Sequence, residues 1–198
     1  MKKIGQQPSK NGGHRAFTLV EMLIVIFIIG MVAGLIFPVV KSVKRWQYVN
    51  TARAEMNQIQ TALENYKAQY GAYPPNPANN LLSPPLYAEL CGQGGAGIIN
   101  SGSTTTTEDQ TAAKNFLAGI SSKQIATVGG TTILVTSVRG PDANYQPLGQ
   151  ANVNPFRYRY PGTYNPTGYD LWVQLSINGQ LNLICNWSRQ TQVNTADP

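Results

Sequence analysis

The sequence predicts an α+β fold, a long N-terminal helix packed on a small antiparallel β-sheet, with the first half of the helix spanning a membrane. Three observations predict it. Residues 17–40 are almost wholly apolar, residues 49–70 carry a single apolar stripe at helical spacing, and the last third alternates apolar and polar positions around turn signals.

Residues 1–16 form a basic polar leader containing Lys2, Lys3, Lys10 and Arg15. Residues 17–40, "FTLVEMLIVIFIIGMVAGLIFPVV", hold one charge, Glu21, in 24 positions. At about 1.5 Å per residue this is roughly 36 Å of helix, enough to cross a ~30 Å hydrocarbon layer with some tilt. A secretory signal would have a shorter apolar region and a small-x-small site after it, and neither is present. Residues 17–40 therefore read as a single-pass transmembrane helix half. Basic residues flank the span on both sides, since Lys41, Lys44 and Arg45 follow it, and the charge rule favours a cytoplasmic N-terminus only slightly.

Residues 41–71 continue as an amphipathic helix half. Val49, Ala52, Met56, Ile59, Leu63, Tyr66 and Tyr70 recur at alternating spacings of three and four, a stripe that covers a small core. A dimeric coiled coil is the alternative, and Ala52 with two tyrosines makes a poor seam for one. Gly71 reads as the C-cap, and "YPPNP" (73–77) forbids continuation. Residues 72–130 form a variable region rich in Pro, Gly, Ser and Thr, with a short helix expected over Glu108–Ala118 and an exposed loop at "GSTTTT" (102–107).

Residues 131–198 form the antiparallel sheet region. "TTILVTSVR" (131–139) is one strand. "FRYRY" (156–160) alternates aromatic residues with Arg157 and Arg159, which predicts one covered face and one wet face. "YDLWVQLSI" (169–177) and "QLNLICNW" (180–187) flank Asn178-Gly179, the signal of a type I′ hairpin.

Composition narrows the function. Charged residues are 12% of the chain, about half the usual share. Of the net +6, four charges lie in the leader; without residues 1–16, eleven basic residues face nine acidic ones, a net of +2. That is no nucleic-acid footprint, and no nucleic-acid partner is expected. The single histidine, His14, lies in the leader, so the folded part lacks the commonest general base and a common zinc ligand. "GQGGAG" (92–97) satisfies a dinucleotide-binding pattern literally, but no good strand precedes it and Leu117 stands where an acid is needed. "NWS" (186–188) fits a glycosylation sequon but ends a strand. The chain reads as non-enzymatic, with no catalytic residue, cofactor or metal site. Cys91 and Cys185 are a candidate disulfide. In an oxidising compartment it would close a loop of ~95 residues, worth up to ~4.7 kcal/mol by loop-closure entropy; two buried free thiols are the alternative.

Glu21 needs an explanation of its own. A charge at the bilayer centre costs about 2.5–3.5 kcal/mol and less near an end. Position alone leaves two readings open: a glutamate that snorkels to the interface, or one with a task.

The stretch "GHRAFTLVEMLIVIFIIG" (13–30) resembles the N-terminus of type IV pilin-like proteins: a basic leader, a cut, then Phe-Thr-Leu-x-Glu opening a hydrophobic helix. Those residues here are Phe17, Thr18, Leu19 and Glu21, and Gly30, Gly34 and Pro38 fall where such helices often carry glycine and proline. "ALENYKAQYGAYP" (62–74), "NPFRYRYPGTYNPTGYDLW" (154–172) and "CNW" (185–187) are similar to the major, G-type pseudopilin of type II secretion. The similar segments cover somewhat over half the chain, and residues 80–150 are not among them.

The resemblance implies a pilin-like fold, cleavage by prepilin peptidase between Ala16 and Phe17, and N-methylation of Phe17. It implies a homo-oligomeric helical filament drawn from the inner membrane by an assembly platform, with minor pseudopilins as further partners. The leader would be cytoplasmic and the soluble domain periplasmic. It also implies that Glu21 pairs with the new α-amino group of Phe17 on a neighbouring subunit. Two charges in an apolar bundle satisfy each other at one axial register, so Glu21 would set filament register. Pro38 cannot donate to the carbonyl of Gly34, so Gly30–Pro38 is a weak point expected to bend when subunits pack. Two departures stand out. Ala16 replaces the usual glycine before the cut, and no acidic calcium loop is evident, since only Asp170 and Asp197 are acidic between Tyr169 and Pro198. The rival readings are a type IV pilus or DNA-uptake pilin, which a basic strip including Arg157 and Arg159 would favour, and a membrane-tethered ligand-binding module, which a buried polar pocket would favour.

Overall fold

The computed structural model describes residues 17–75, 84–92, 114–140, 142, 144–195 and 198, with the side chains of 35–42 and 84–85 outside the description. The leader, including Ala16, therefore lies outside it, as do nearly all of "GQGGAG" and all of "GSTTTT". The chain divides into two compact units, Met1–Val43 and Lys44–Pro198. Helix α1, Leu19–Tyr70, runs 52 residues and contributes to both.

In the first unit every described side chain from Phe17 to Gly34 is exposed, so none of the described residues covers this apolar surface. The backbone stays α-helical through Gly30, Gly34 and Pro38.

In the second unit the α1 stripe makes the core. Ala52, Met56, Ile59, Leu63 and Tyr66 are buried, Val49 is half-buried, and Tyr70 lies at the rim, packed on Tyr66 and Phe116. They meet Phe156, Tyr158, Leu171, Val173, Leu175, Ile177 and Ile184, so the stripe is spent on the chain's own core rather than on a coiled-coil seam. Gly71 ends the helix as its sequence predicts: its φ is 80° and its N–H donates to the Lys67 carbonyl at 2.7 Å. The exit is fastened where the Tyr158 hydroxyl donates to the Pro74 carbonyl at 2.8 Å.

Helix α2, Pro84–Cys91, is not foreseen by the sequence reading. Proline suits a first helical turn, where the missing N–H has no partner anyway, and Leu86, Leu90 and Cys91 then fall into the core. Residues 114–120 form turns instead of the end of a helix over Glu108–Ala118, the rest of which lies outside the described residues.

Strands β1 (Ile125–Val128) and β2 (Thr131–Leu134) form a two-stranded antiparallel hairpin around Gly129-Gly130, whose φ values are 58° and 80°. The β region thus begins at 125, ahead of the expected 131. Strands β3 (Arg157–Arg159), β4 (Asp170–Ile177), β5 (Gln180–Cys185) and β6 (Gln192–Val193) form an antiparallel sheet in that order. The turn between β4 and β5 has positive φ at both Asn178 (54°) and Gly179 (74°), the type I′ geometry that sets the Ile177–Gln180 register.

The sheet corrects two expectations. Strand β4 is buried at every position, so the outer face is not wet. Arg157 is only 9% exposed, and the Arg159 guanidinium lies 5.5 Å over the Trp172 ring, donating as well to Thr163 Oγ1 at 2.8 Å. A delocalised, weakly hydrated cation covers an aromatic face well, so alternating arginines close a second small core of Trp172, Leu183, Cys185 and Trp187. The disulfide is likewise not formed: Cys91 and Cys185 are both free and buried. Cys91 belongs to the core between α1 and the sheet, while Cys185 pairs in register with Trp172 and faces the other side. Strand alternation puts the sheet between them.

Candidate functional site

The start of α1 is built from Thr18 and Glu21. The first N–H groups of a helix have no intrahelical acceptor, and a Thr-x-x-Glu sequence supplies acceptors reciprocally. Glu21 Oε2 accepts from the Thr18 N–H and from Thr18 Oγ1, both at 2.9 Å, and Thr18 Oγ1 accepts from the Glu21 N–H at 3.2 Å. The carboxylate that sequence reasoning reserves for a neighbouring subunit is therefore also a capping group of its own helix. The sequence signal for this cap is the Thr-x-x-Glu spacing of "TLVE" (18–21).

Around this cap the surface is apolar and open. Phe17 is 73% exposed and Leu19 80%, and the residues from Val20 to Val32 present a continuous greasy cylinder. A Cβ added at Gly30 or Gly34 would meet nothing within 4 Å, so the chain's own packing does not require glycine at either place. Among the described residues no helix is long and apolar enough to cross a membrane. The described side chains of the apolar run cover sixteen helical positions, Leu19 to Gly34, and the remainder of 17–40 lies outside the description.

In the second unit, carboxylates act as fasteners. Glu55 of α1 is buried and accepts from Thr136 Oγ1 at 2.6 Å, from the Ser137 N–H at 3.1 Å and from Ser137 Oγ. Asp170, fully buried, accepts the N–H groups of Thr163 (2.6 Å), Tyr164 (2.9 Å) and Asn165 (3.0 Å), which cradle the 162–168 loop. A Cβ on Gly162 would come within 2.6 Å of Asp170 Oδ1, so glycine is needed there for close approach. Asp142 ties the β4–β5 hairpin, accepting from Ser176 Oγ (2.5 Å), Gly179 N–H (2.7 Å) and Asn178 N–H (3.1 Å). The Ser176 hydroxyl first, and then the Gly179 amide, hold the Asp142 carboxyl below the usual carboxylate range. Asn186 of the "NWS" sequence clamps Tyr169 and Leu171 through its side chain, at 2.9 and 3.0 Å. Among the described residues no three His, Cys, Asp or Glu side chains gather as a metal site would need.

Residues 12–37 match the prokaryotic N-terminal methylation motif. The type II secretion system core protein G of Pseudomonas aeruginosa is 38% identical over 58 residues, 29% of this chain and 41% of that protein. The chain thus spans less than half the length of the curated relative it matches. No solved structure matches. The motif falls on the helix start whose described side chains are uncovered, and with this motif and an α+β unit of helix on antiparallel sheet the chain is similar to the type IV pilin-like proteins and to a type II secretion core pseudopilin.

Proposed function

We propose that the chain is a pseudopilin, a non-enzymatic subunit that prepilin peptidase cuts between Ala16 and Phe17, that is N-methylated at Phe17, and that joins a type II secretion filament through its N-terminal helix. The carrying observation is the uncovered apolar half of α1, which bears the methylation motif and has Glu21 as its one charge. Such a surface is too large to leave in water, so it is stored in the inner membrane with the soluble domain periplasmic and is later buried against other copies. The platform extracts the subunit, and minor pseudopilins share the filament. Removing the leader creates the amine that pairs with a neighbour's Glu21, so assembly waits for processing. Gly30 and Gly34, unneeded for packing within the chain, let neighbouring helices approach closely, and Pro38 supplies the weak point that yields as they do.

Intact mass and N-terminal sequencing of protein extracted from membranes test this. The expected product has 198 − 16 = 182 residues and a methylated Phe17 at its start. An uncut chain, or a start at another residue, overturns the reading.

A further inference from the structure

Trp46 is 73% exposed, more than any other large apolar side chain among the described residues from Lys44 on, where Tyr164 reaches 52%, Tyr70 48% and Val193 40%. The other two tryptophans are put to use: Trp172 is fully buried, and Trp187 stacks on Tyr164 at 4.4 Å. We infer that Trp46, with Lys44, is an interfacial anchor that fits the phospholipid headgroup layer on the periplasmic side. The inference rests on reading residues 17–40 as the membrane-spanning helix half.

Spacing and charge select this occupant. Trp46 follows Val40, the last residue of the apolar run, by six positions, about 9 Å of helix at ~1.5 Å per residue. The headgroup layer extends roughly 5–7 Å beyond the hydrocarbon on each side. Helical side chains lean toward the helix N-terminus, which draws the indole back into that layer. Indoles favour the level where a ring meets hydrocarbon and an N–H meets polar groups. Lys44, two positions earlier and on the other side of the helix, is exposed at nearly the same depth and carries the charge that an anionic headgroup complements. Arg45 is committed elsewhere: its Nε and a terminal nitrogen both donate to Asn182 Oδ1, at 3.1 and 2.9 Å. The soluble unit thus holds the helix on one side and leaves tryptophan and lysine for the membrane surface.

The test uses the full chain in phosphatidylethanolamine–phosphatidylglycerol vesicles containing a lipid brominated close to its headgroup. Flotation of the vesicles and quenching of tryptophan emission are measured together for the wild type, Trp46→Phe and Lys44→Glu. The expected result is that all three float, that the wild type is quenched, that Trp46→Phe loses the quenching, and that in Lys44→Glu the quenching no longer rises with the phosphatidylglycerol fraction. Floating chains quenched equally with and without Trp46 overturn the anchor and leave the membrane reading intact. A chain that does not float overturns the membrane reading, and the anchor with it. Trp46 emission that follows the protein-to-lipid ratio but ignores bromine places a second copy on this face and also overturns the anchor.

Discussion

Glu21 carries two assignments that one substitution separates. The cap needs only an acceptor, which a glutamine supplies; pairing with an amine in an apolar bundle needs the negative charge. Glu21→Gln is therefore expected to keep protection of the first-turn amides in hydrogen exchange while losing filament assembly. Glu21→Val should lose both and still insert into membranes, because it makes the span more apolar. Assembly by Glu21→Gln at the wild-type level would assign the residue to the cap alone. Glu55 is the corresponding case in the soluble unit, where one carboxylate accepts from Thr136 and Ser137. Glu55→Ala strands those donors, and urea unfolding of the chain in detergent should show a loss of about 2–3 kcal/mol, the scale of hydrogen bonds to a charged group. None of these fasteners was legible beforehand. Glu55, Asp142 and Asp170 find partners 82, 37 and 7 residues away at most, and no local pattern announces where a distant N–H will arrive.

At the scale of elements, what was legible follows local chemistry. The 3,4 stripe, the Gly71 cap and the Asn178-Gly179 turn are each dictated by neighbours within a few residues, and each is where the sequence puts it. Helix α2 and strand β1 are short and have weak patterns of their own, so packing on the core decides them; Gly129-Gly130 was the missed sign of the β1–β2 hairpin. The β4–β5 hairpin also carries a pH-dependent tie. Asp142 has a folded-state pKa below its unfolded value of ~3.9, so its contribution is fully present above that value and is lost as pH falls through the lower folded pKa. Acid unfolding should therefore reach completion at higher pH in Asp142→Asn, with the β4–β5 amides losing protection first. A variant whose acid limb superimposes on that of the wild type would assign the tie no role.

For the whole molecule, the expected disulfide fails on the order of layers, because sequence separation carries no information about faces. Two cysteines ~95 residues apart promise much loop-closure entropy, but the bond requires Cα atoms within about 7 Å and side chains directed at each other. Here a sheet intervenes. It could not be read from the sequence, since the second core of Trp172, Leu183, Cys185 and Trp187 lies on the sheet face whose other residues, Arg157, Arg159, Gln174 and Ser176, look like a wet one. With the bond excluded, the thiols become reporters of global opening. Burial raises the Cys91 thiol to about 11 and raises Cys185 as well, which keeps both protonated near neutral pH and poor as nucleophiles. Iodoacetamide at pH 8 should leave the folded chain unmodified and add two carbamidomethyl groups once denaturant is present, and a reductant should leave the melting temperature unchanged. Chelator should leave it unchanged too, because Asp170 and Asp142 already have their oxygens engaged by N–H and O–H donors. A native mass lower by two hydrogens, together with a melting temperature that falls on reduction, would mean that the two cysteines reach each other and that the order of layers described for this sheet is wrong.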